Sequence, residues 1–274
     1  MKKIAFGQYY PSDSLLHRMD ARAKIVAAIL YIVAVFLCKN ALCFAVLALS
    51  AAVLVALGRI PLRLILSTLK PLILIITLTS LINIFFTKGK TLLTPDNWKV
   101  HIYAEGLWTA LFMIVRITVL LATTGVFLTF TTTPIALTDA LESLLMPLAK
   151  LHLPVHDLAM ITTIALRFIP TLSEETEKIM NAQKARGADF SSGSLIKRAK
   201  ALLPVFIPLL SSAFKRADEL ANAMDCRCYH GGAGRTRLNV PVFRVRDAVM
   251  ILLVVAFGVG IFFLGRLEIG YTMK

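Results

Sequence analysis

Two short segments of this chain share a residue spacing suited to recognition chemistry. Asn181-Ala182-Gln183-Lys184-Ala185-Arg186-Gly187 and Asn222-Ala223-Met224-Asp225-Cys226-Arg227-Cys228 both read Asn-Ala-x-x-x-Arg. Their phasing agrees as well. Phe206, Leu210, Ala213, Ala217, Leu220 and Met224 alternate steps of four and three, and the next step reaches Arg227. Leu172, Thr176, Ile179 and Gln183 lead by the same steps to Arg186. Each arginine therefore extends a helical packing seam one turn beyond its apolar part and projects from the helix tip. The helix dipole stabilises such a cation by roughly 0.3–1 kcal/mol, which accounts for one C-terminal arginine by itself. Two matched tips are harder to explain that way. Their flanks are small, Ala185 and Gly187 at one and Cys226 and Cys228 at the other. Small flanks let a guanidinium enter a groove and grip a carboxylate with two parallel hydrogen bonds. A duplicated tip fits a partner that is itself a dimer or pseudodimer.

Other chemistry-bearing residues point less sharply. Arg116 lies inside an apolar run, where a cation is expensive and marks either an internal ion pair or a moving contact. Gly89-Lys90-Thr91 resembles the end of a phosphate-binding loop, but Ile84 stands where the first glycine belongs, so ATP hydrolysis is not expected in this chain. His156-Asp157 could mimic a catalytic dyad, yet no recognisable motif positions a nucleophile, and a solvated or capping pair is expected instead. Cys226, Cys228 and His230 fall short of a zinc ligand set, and the four cysteines are expected to be plain thiols. No catalytic residue and no metal site are expected.

The elements that must position these residues are helices, most of them in a membrane. The chain has 274 residues, 57% hydrophobic and 17% charged, with charges that avoid whole segments. That pattern predicts an all-α polytopic membrane protein. Apolar runs near 25–38, 41–57, 64–86, 107–130 and 248–264 give five expected spans, against roughly 30 Å of hydrocarbon at 1.5 Å per residue. Residues 1–133 and 247–274 then form the transmembrane part and 134–246 a cytoplasmic or interfacial part. The net charge of +14 needs no nucleic acid, since no basic patch is interleaved with aromatics. Lys2, Lys3, Arg18, Arg22 and Lys24, then Arg59 and Arg63, then the basic 131–246 stretch all fall on one side of a five-span chain. The positive-inside rule makes that side cytoplasmic, with the amino terminus inside and the carboxyl terminus outside.

Within 134–246, Pro134 opens an amphipathic helix over 135–150, which His152-Leu153-Pro154 breaks. The short apolar stretches Leu158–Phe168 and Leu202–Phe214 read as interfacial or protein-packed helices, with a sixth span as the alternative. The first is expected to end at Phe168-Ile169-Pro170, after which Thr171 and Glu174 read as a capping box. That second helix should stop at Gly187, and a further helix should run from near Leu195 to Arg227, kinked at Pro204 and Pro208.

Three motifs together resemble a known family: the opening Gly7-Gln8-Tyr9-x-Pro11-x-Asp13-Ser14-x-Leu16-His17-Arg18-Met19-Asp20, the run Leu166-Arg167-Phe168-Ile169-Pro170, and the two arginine tips. The chain resembles the T component of energy-coupling factor transporters, the family that includes the cobalt-transporter Q subunits. The resemblance implies two long coupling helices whose Ala-Arg-Gly tips enter grooves of two ATP-binding-cassette subunits. It also implies a separate membrane-embedded S component that captures a vitamin or metal ion. By that resemblance Ala185, Arg186, Gly187, Cys226, Arg227 and Cys228 dock the ATPases. ATP and magnesium would be bound by those partners, with no cofactor in this chain. The second tip departs from the family pattern, carrying Cys-Arg-Cys where Ala-Arg-Gly is commonest. The rival expectations are an ordinary ABC permease with its own substrate path, or a membrane-embedded enzyme.

Overall fold

In the computed structural model of the chain, residues 9–87, 103–151, 154–190, 192, 194–231 and 242–266 are described. Every regular element among them is helical: α1 (Ala21–Leu37), α2 (Ala41–Gly58), α3 (Leu62–Leu69), α4 (Ile73–Phe86), α5 (Ala104–Thr124), α6 (Pro134–Leu145), α7 (Val155–Ala185), α8 (Leu195–Cys226) and α9 (Val245–Arg266). The chain divides into two compact units, Met1–Ala140 with Val240–Lys274, and Leu141–Asn239.

The first unit is built on α1. Asp20 caps it, its carboxylate accepting from the Arg22 amide at 2.9 Å. Ala23, Ala27, Ala28 and Ala34 are at most 2% exposed, and these small side chains let α9 lie close. A Cβ added at Gly258 of α9 would already touch Ala34 at 3.7 Å. Tyr31 stacks on Phe257 with ring centroids 5.6 Å apart, and its hydroxyl meets Ser50 of α2 at 2.7 Å. Val35, Leu47, Val126 and Phe127 close the core. After α5 the chain continues through a π-type turn, Gly125–Phe130, which folds Phe130 back so tightly that a Cβ at Gly125 would sit 2.8 Å from its ring. Only glycine fits there.

The two ends of this unit are distinguishable. At one, the Tyr10 amide donates to the Phe130 carbonyl (3.0 Å), Ser12 Oγ to the Gly58 carbonyl (3.4 Å), and the Asp20 amide to Asp247 (3.1 Å). At the other, the Asn40 side chain donates to the Leu264 carbonyl (3.3 Å). Helices α1 and α9 therefore run parallel. Much of the outer surface is apolar, with Leu74 73% and Phe86 79% exposed, as expected where lipid replaces water.

Among the described residues, five helical stretches have the length and composition to cross a membrane: Ala41–Gly58, Leu62–Phe86, Ala104–Phe130, Val155–Ala185 and Val245–Arg266. The number agrees with expectation but the membership differs. The stretch expected near 25–38 forms α1, whose 17 residues reach about 25 Å, and α7 joins the set instead. The Leu62–Phe86 path is interrupted by a 3-10 turn, Lys70–Leu72, around Pro71.

Two local expectations are corrected. Pro170 does not end a helix: α7 runs unbroken for 31 residues with Pro170 inside it. Thr171 is consequently mid-helix and caps nothing. Pro170, Pro204 and Pro208 all lie on exposed faces, where the carbonyl each leaves without its helical partner can find another donor. The helix expected over 135–150 stops at Leu145, and a 3-10 stretch over Met146–Leu151 follows it before α7; residues 152 and 153 of the expected breaker lie outside the described residues.

Candidate functional site: two matched helix tips

In the second unit α7 packs on α8. The expected seam positions of α7 towards its end, Leu172, Thr176, Ile179 and Gln183, are all half-buried, as are Ser173, Glu175 and Met180 beside them. Leu172 from α7 and Ala213, Ala217, Leu220 and Met224 from α8 line a cleft of about 300 Å³, together with Ile164 and Phe168. The lower part of the second seam departs from expectation, because Phe206 and Leu210 face outward at 57% and 43% exposure. The ion pair joining the two helices is Arg216 Nη2 to Glu175 Oε2 at 2.6 Å. It is half-buried and unrelated to the Glu174–Lys178 spacing that the sequence offers.

Both helices end in the same way. Arg186 and Arg227 are the cap residues, with φ/ψ of −86°/9° and −95°/14°. The next residue turns into the left-handed region, Gly187 at φ +88° and Cys228 at φ +53°. Its amide then bonds back three residues, Gly187 to Lys184 (2.9 Å) and Cys228 to Asp225 (2.9 Å). The following amide bonds back five, Ala188 to Gln183 (3.0 Å) and Tyr229 to Met224 (3.1 Å). These paired bonds define a Schellman motif at each tip. The sequence repeat is thus a repeat of backbone geometry, and each motif leaves its arginine exposed at the cap. The sequence gives no hint of the left-handed Cys228, since cysteine carries a Cβ that disfavours that region. Cys226 and Cys228 are exposed free thiols, whereas Cys38 and Cys43 are buried.

The remaining candidates resolve as follows. Arg116 Nη2 donates to the Cys38 carbonyl at 2.9 Å, and its guanidinium sits 5.2 Å from the Phe44 ring centre. It therefore caps the carboxyl end of α1 at the α1–α2 turn. His156 pairs with Glu142 (Nδ1 to Oε1, 2.9 Å) and not with Asp157, which sits in the first turn of α7. Gly89-Lys90-Thr91 lies outside the described residues. The opening motif, from Tyr9 on, folds around His17, whose Nε2 donates to the Tyr10 carbonyl (2.8 Å) while Nδ1 meets Ser14 Oγ (2.7 Å). No spacing rule singled out that histidine.

Comparison with known proteins agrees with these motifs. The sequence profile of the cobalt transport protein family matches residues 12–238. A protein of Acidaminococcus fermentans named energy-coupling factor transporter transmembrane protein EcfT is 48% identical over 262 residues, covering 95% of this chain and 96% of the relative. Proteins of the same name from Ruminiclostridium cellulolyticum and Bacillus subtilis are 46% identical (94% of this chain, 95% of the relative) and 44% identical (96% and 99%). Matches of this extent, over a helical multi-pass membrane chain with two matched tips, place the protein in the family of energy-coupling factor transporter transmembrane proteins.

Proposed function

We propose that this chain is the mechanical coupler of an ATP-driven importer, passing motion from two ABC-type ATPase subunits to a membrane-embedded S component that holds a vitamin or metal ion. Arg186 and Arg227, with their flanks Ala185, Gly187, Cys226 and Cys228, dock the two ATPases. The observation that carries this reading is the shared geometry of the tips. Two Schellman motifs present two exposed arginines in one conformation, which suits two copies, or near-copies, of one acidic groove. ATP and magnesium belong to the partners. Closure of the ATPases would displace the tips, and α7 and α8 would tilt or shear in response.

The amino terminus is taken to be cytoplasmic, on the strength of loop charge. Chain parity supports five spans. The Asp20, Gly58, Phe130 and Asp247 ends meet at one end of the first unit, so the 131–244 stretch leaves and re-enters at that end. It crosses the bilayer an even number of times or not at all. A crossing by α7 would need a second one, and the uncharged part of α8, Ala201–Phe214, has 14 residues, about 21 Å. Helix α1 is the fifth span on this reading.

Purifying the tagged chain from its own cell membrane and identifying what accompanies it tests the reading. Two ATPase polypeptides, of one kind or two, and a small membrane protein should co-purify in fixed proportion. Substrate transport by the chain alone, without ATPases, would contradict it.

A further inference from the structure

Lys24 is a buried cation that the tips do not explain. It is 2% exposed, and its Nζ donates to the Thr131 carbonyl (2.8 Å) and to Thr132 Oγ1 (3.3 Å). Both threonines are themselves buried, and their hydroxyls return to the Phe127 carbonyl at 3.1 Å each. One turn earlier Asp20 caps α1, and its amide donates to Asp247 Oδ1 at 3.1 Å. Asp247 is 1% exposed, and its other oxygen accepts the Arg244 amide at 2.8 Å. Arg246 reaches back to the Arg18 carbonyl. One carboxylate oxygen of Asp20 is buried without a hydrogen-bond partner, so the cluster is held by few, directed bonds.

The position of this cluster gives it meaning. Thr131 and Thr132 stand immediately before α6, where the chain departs for the 134–246 stretch. Arg244 and Asp247 stand where it returns into α9. Residues 227 positions apart in sequence, Asp20 and Asp247, are joined at one point. Both threads of the coupling region are therefore tied to the start of one helix.

We propose that Lys24 and Asp247 are positioning residues for energy coupling, forming a clasp that fixes the entry and exit threads of the coupling region to α1. A push on the tips reaches the spans only if these two threads do not yield first. Without the clasp the displacement is absorbed by residues 131–133 and 242–246. The clasp is distinct from the docking site, because none of its members lies in α7 or α8. Bury a charge and remove its partner, and the fold suffers whatever the residue does for function. The test must therefore separate folding from coupling.

This inference rests on the coupling role proposed above. Lys24→Met, Asp247→Asn and the double variant K24M/D247N are each assembled with the native ATPases and substrate-binding protein in lipid vesicles. Complex composition, ATP hydrolysis and uptake per ATP are then compared with wild type. Each single variant loses one set of these directed bonds and should assemble in reduced yield, and the double variant, which removes both charges together, shows whether assembly survives without the clasp. All that assemble should hydrolyse ATP within about twofold of wild type, since the tips are intact, while uptake per ATP falls at least fivefold. An assembled double variant with wild-type uptake per ATP overturns the proposal. So does a double variant that still fails to assemble, because the cluster is then a folding element only. Absence of ATP-driven uptake in the wild-type assembly would instead overturn the coupling role itself.

Discussion

Gly187 and Cys228 occupy the same place in two matched helix ends, both with positive φ, +88° and +53°. Glycine adopts that conformation freely, whereas a residue with a Cβ gives up about 1 kcal/mol or more. The second tip therefore keeps the Schellman turn at a local cost, and the first keeps it without one.

Cys228→Gly should stabilise the second tip. The Cys228 and Tyr229 amides close the turn, so their hydrogen exchange should slow about fivefold, matching about 1 kcal/mol of local stability. Gly187→Ala should do the reverse at Gly187 and Ala188. A Cβ at Gly187 meets nothing within 4 Å, so that change reports backbone conformation alone. Unchanged exchange in both variants would show that the turns are not held by these bonds.

The five-span topology places a reporter fused after Lys274 outside the cell and one inserted near Gly193 in the cytoplasm. A carboxyl-terminal reporter on the cytoplasmic side would mean an even number of spans and would remove the parity argument for α1.

Thiol labelling can follow the second tip without any cysteine replacement. Cys38 and Cys43 are 0% exposed, so a bulky maleimide should react with Cys226 and Cys228 alone in the folded chain. The reaction should be followed over time. Labelling the free chain should block assembly with the ATPases, and the assembled complex should be protected. Equal rates in the two states would place Arg227 outside the interface.

The half-buried Arg216–Glu175 pair should tie α7 to α8 modestly. Glu175→Gln should lower thermal stability by about 1 kcal/mol or less, an effect that high salt should shrink. A larger loss would mean that the pair organises the cleft beside it.

What was legible in the sequence was whatever local periodicity records. The tips were readable because Asn-Ala-x-x-x-Arg and the four–three steps recur, and the structure turns that repeat into equal cap geometry. The all-helical membrane fold was readable from apolar runs. Pro170 misled because a proline's missing amide predicts a break, while on an exposed face a long helix can carry it. Lys24 read as one more positive charge on the inner side, and nothing in the sequence pattern singled out Asp247. Their shared cluster joins positions too far apart for any window to register, and only packing of α1 against α9 brings them together. Arg116 was flagged for its cost, but the carbonyl it caps, Cys38, lies 78 positions away.

The central claim is that two exposed arginines deliver ATPase motion, and uptake by tip variants tests it most directly. Wild type, Arg186→Ala, Arg227→Ala, the double alanine variant and the corresponding lysine and glutamate variants are assayed for ATP-driven uptake at equal membrane content. Each alanine should cut uptake at least tenfold. Glutamate should cut it further, since it adds repulsion against an acidic groove and opposes the helix dipole. Lysine should rescue only in part, because an ammonium lacks the planar two-pronged contact. Wild-type uptake by the double alanine variant would contradict the account.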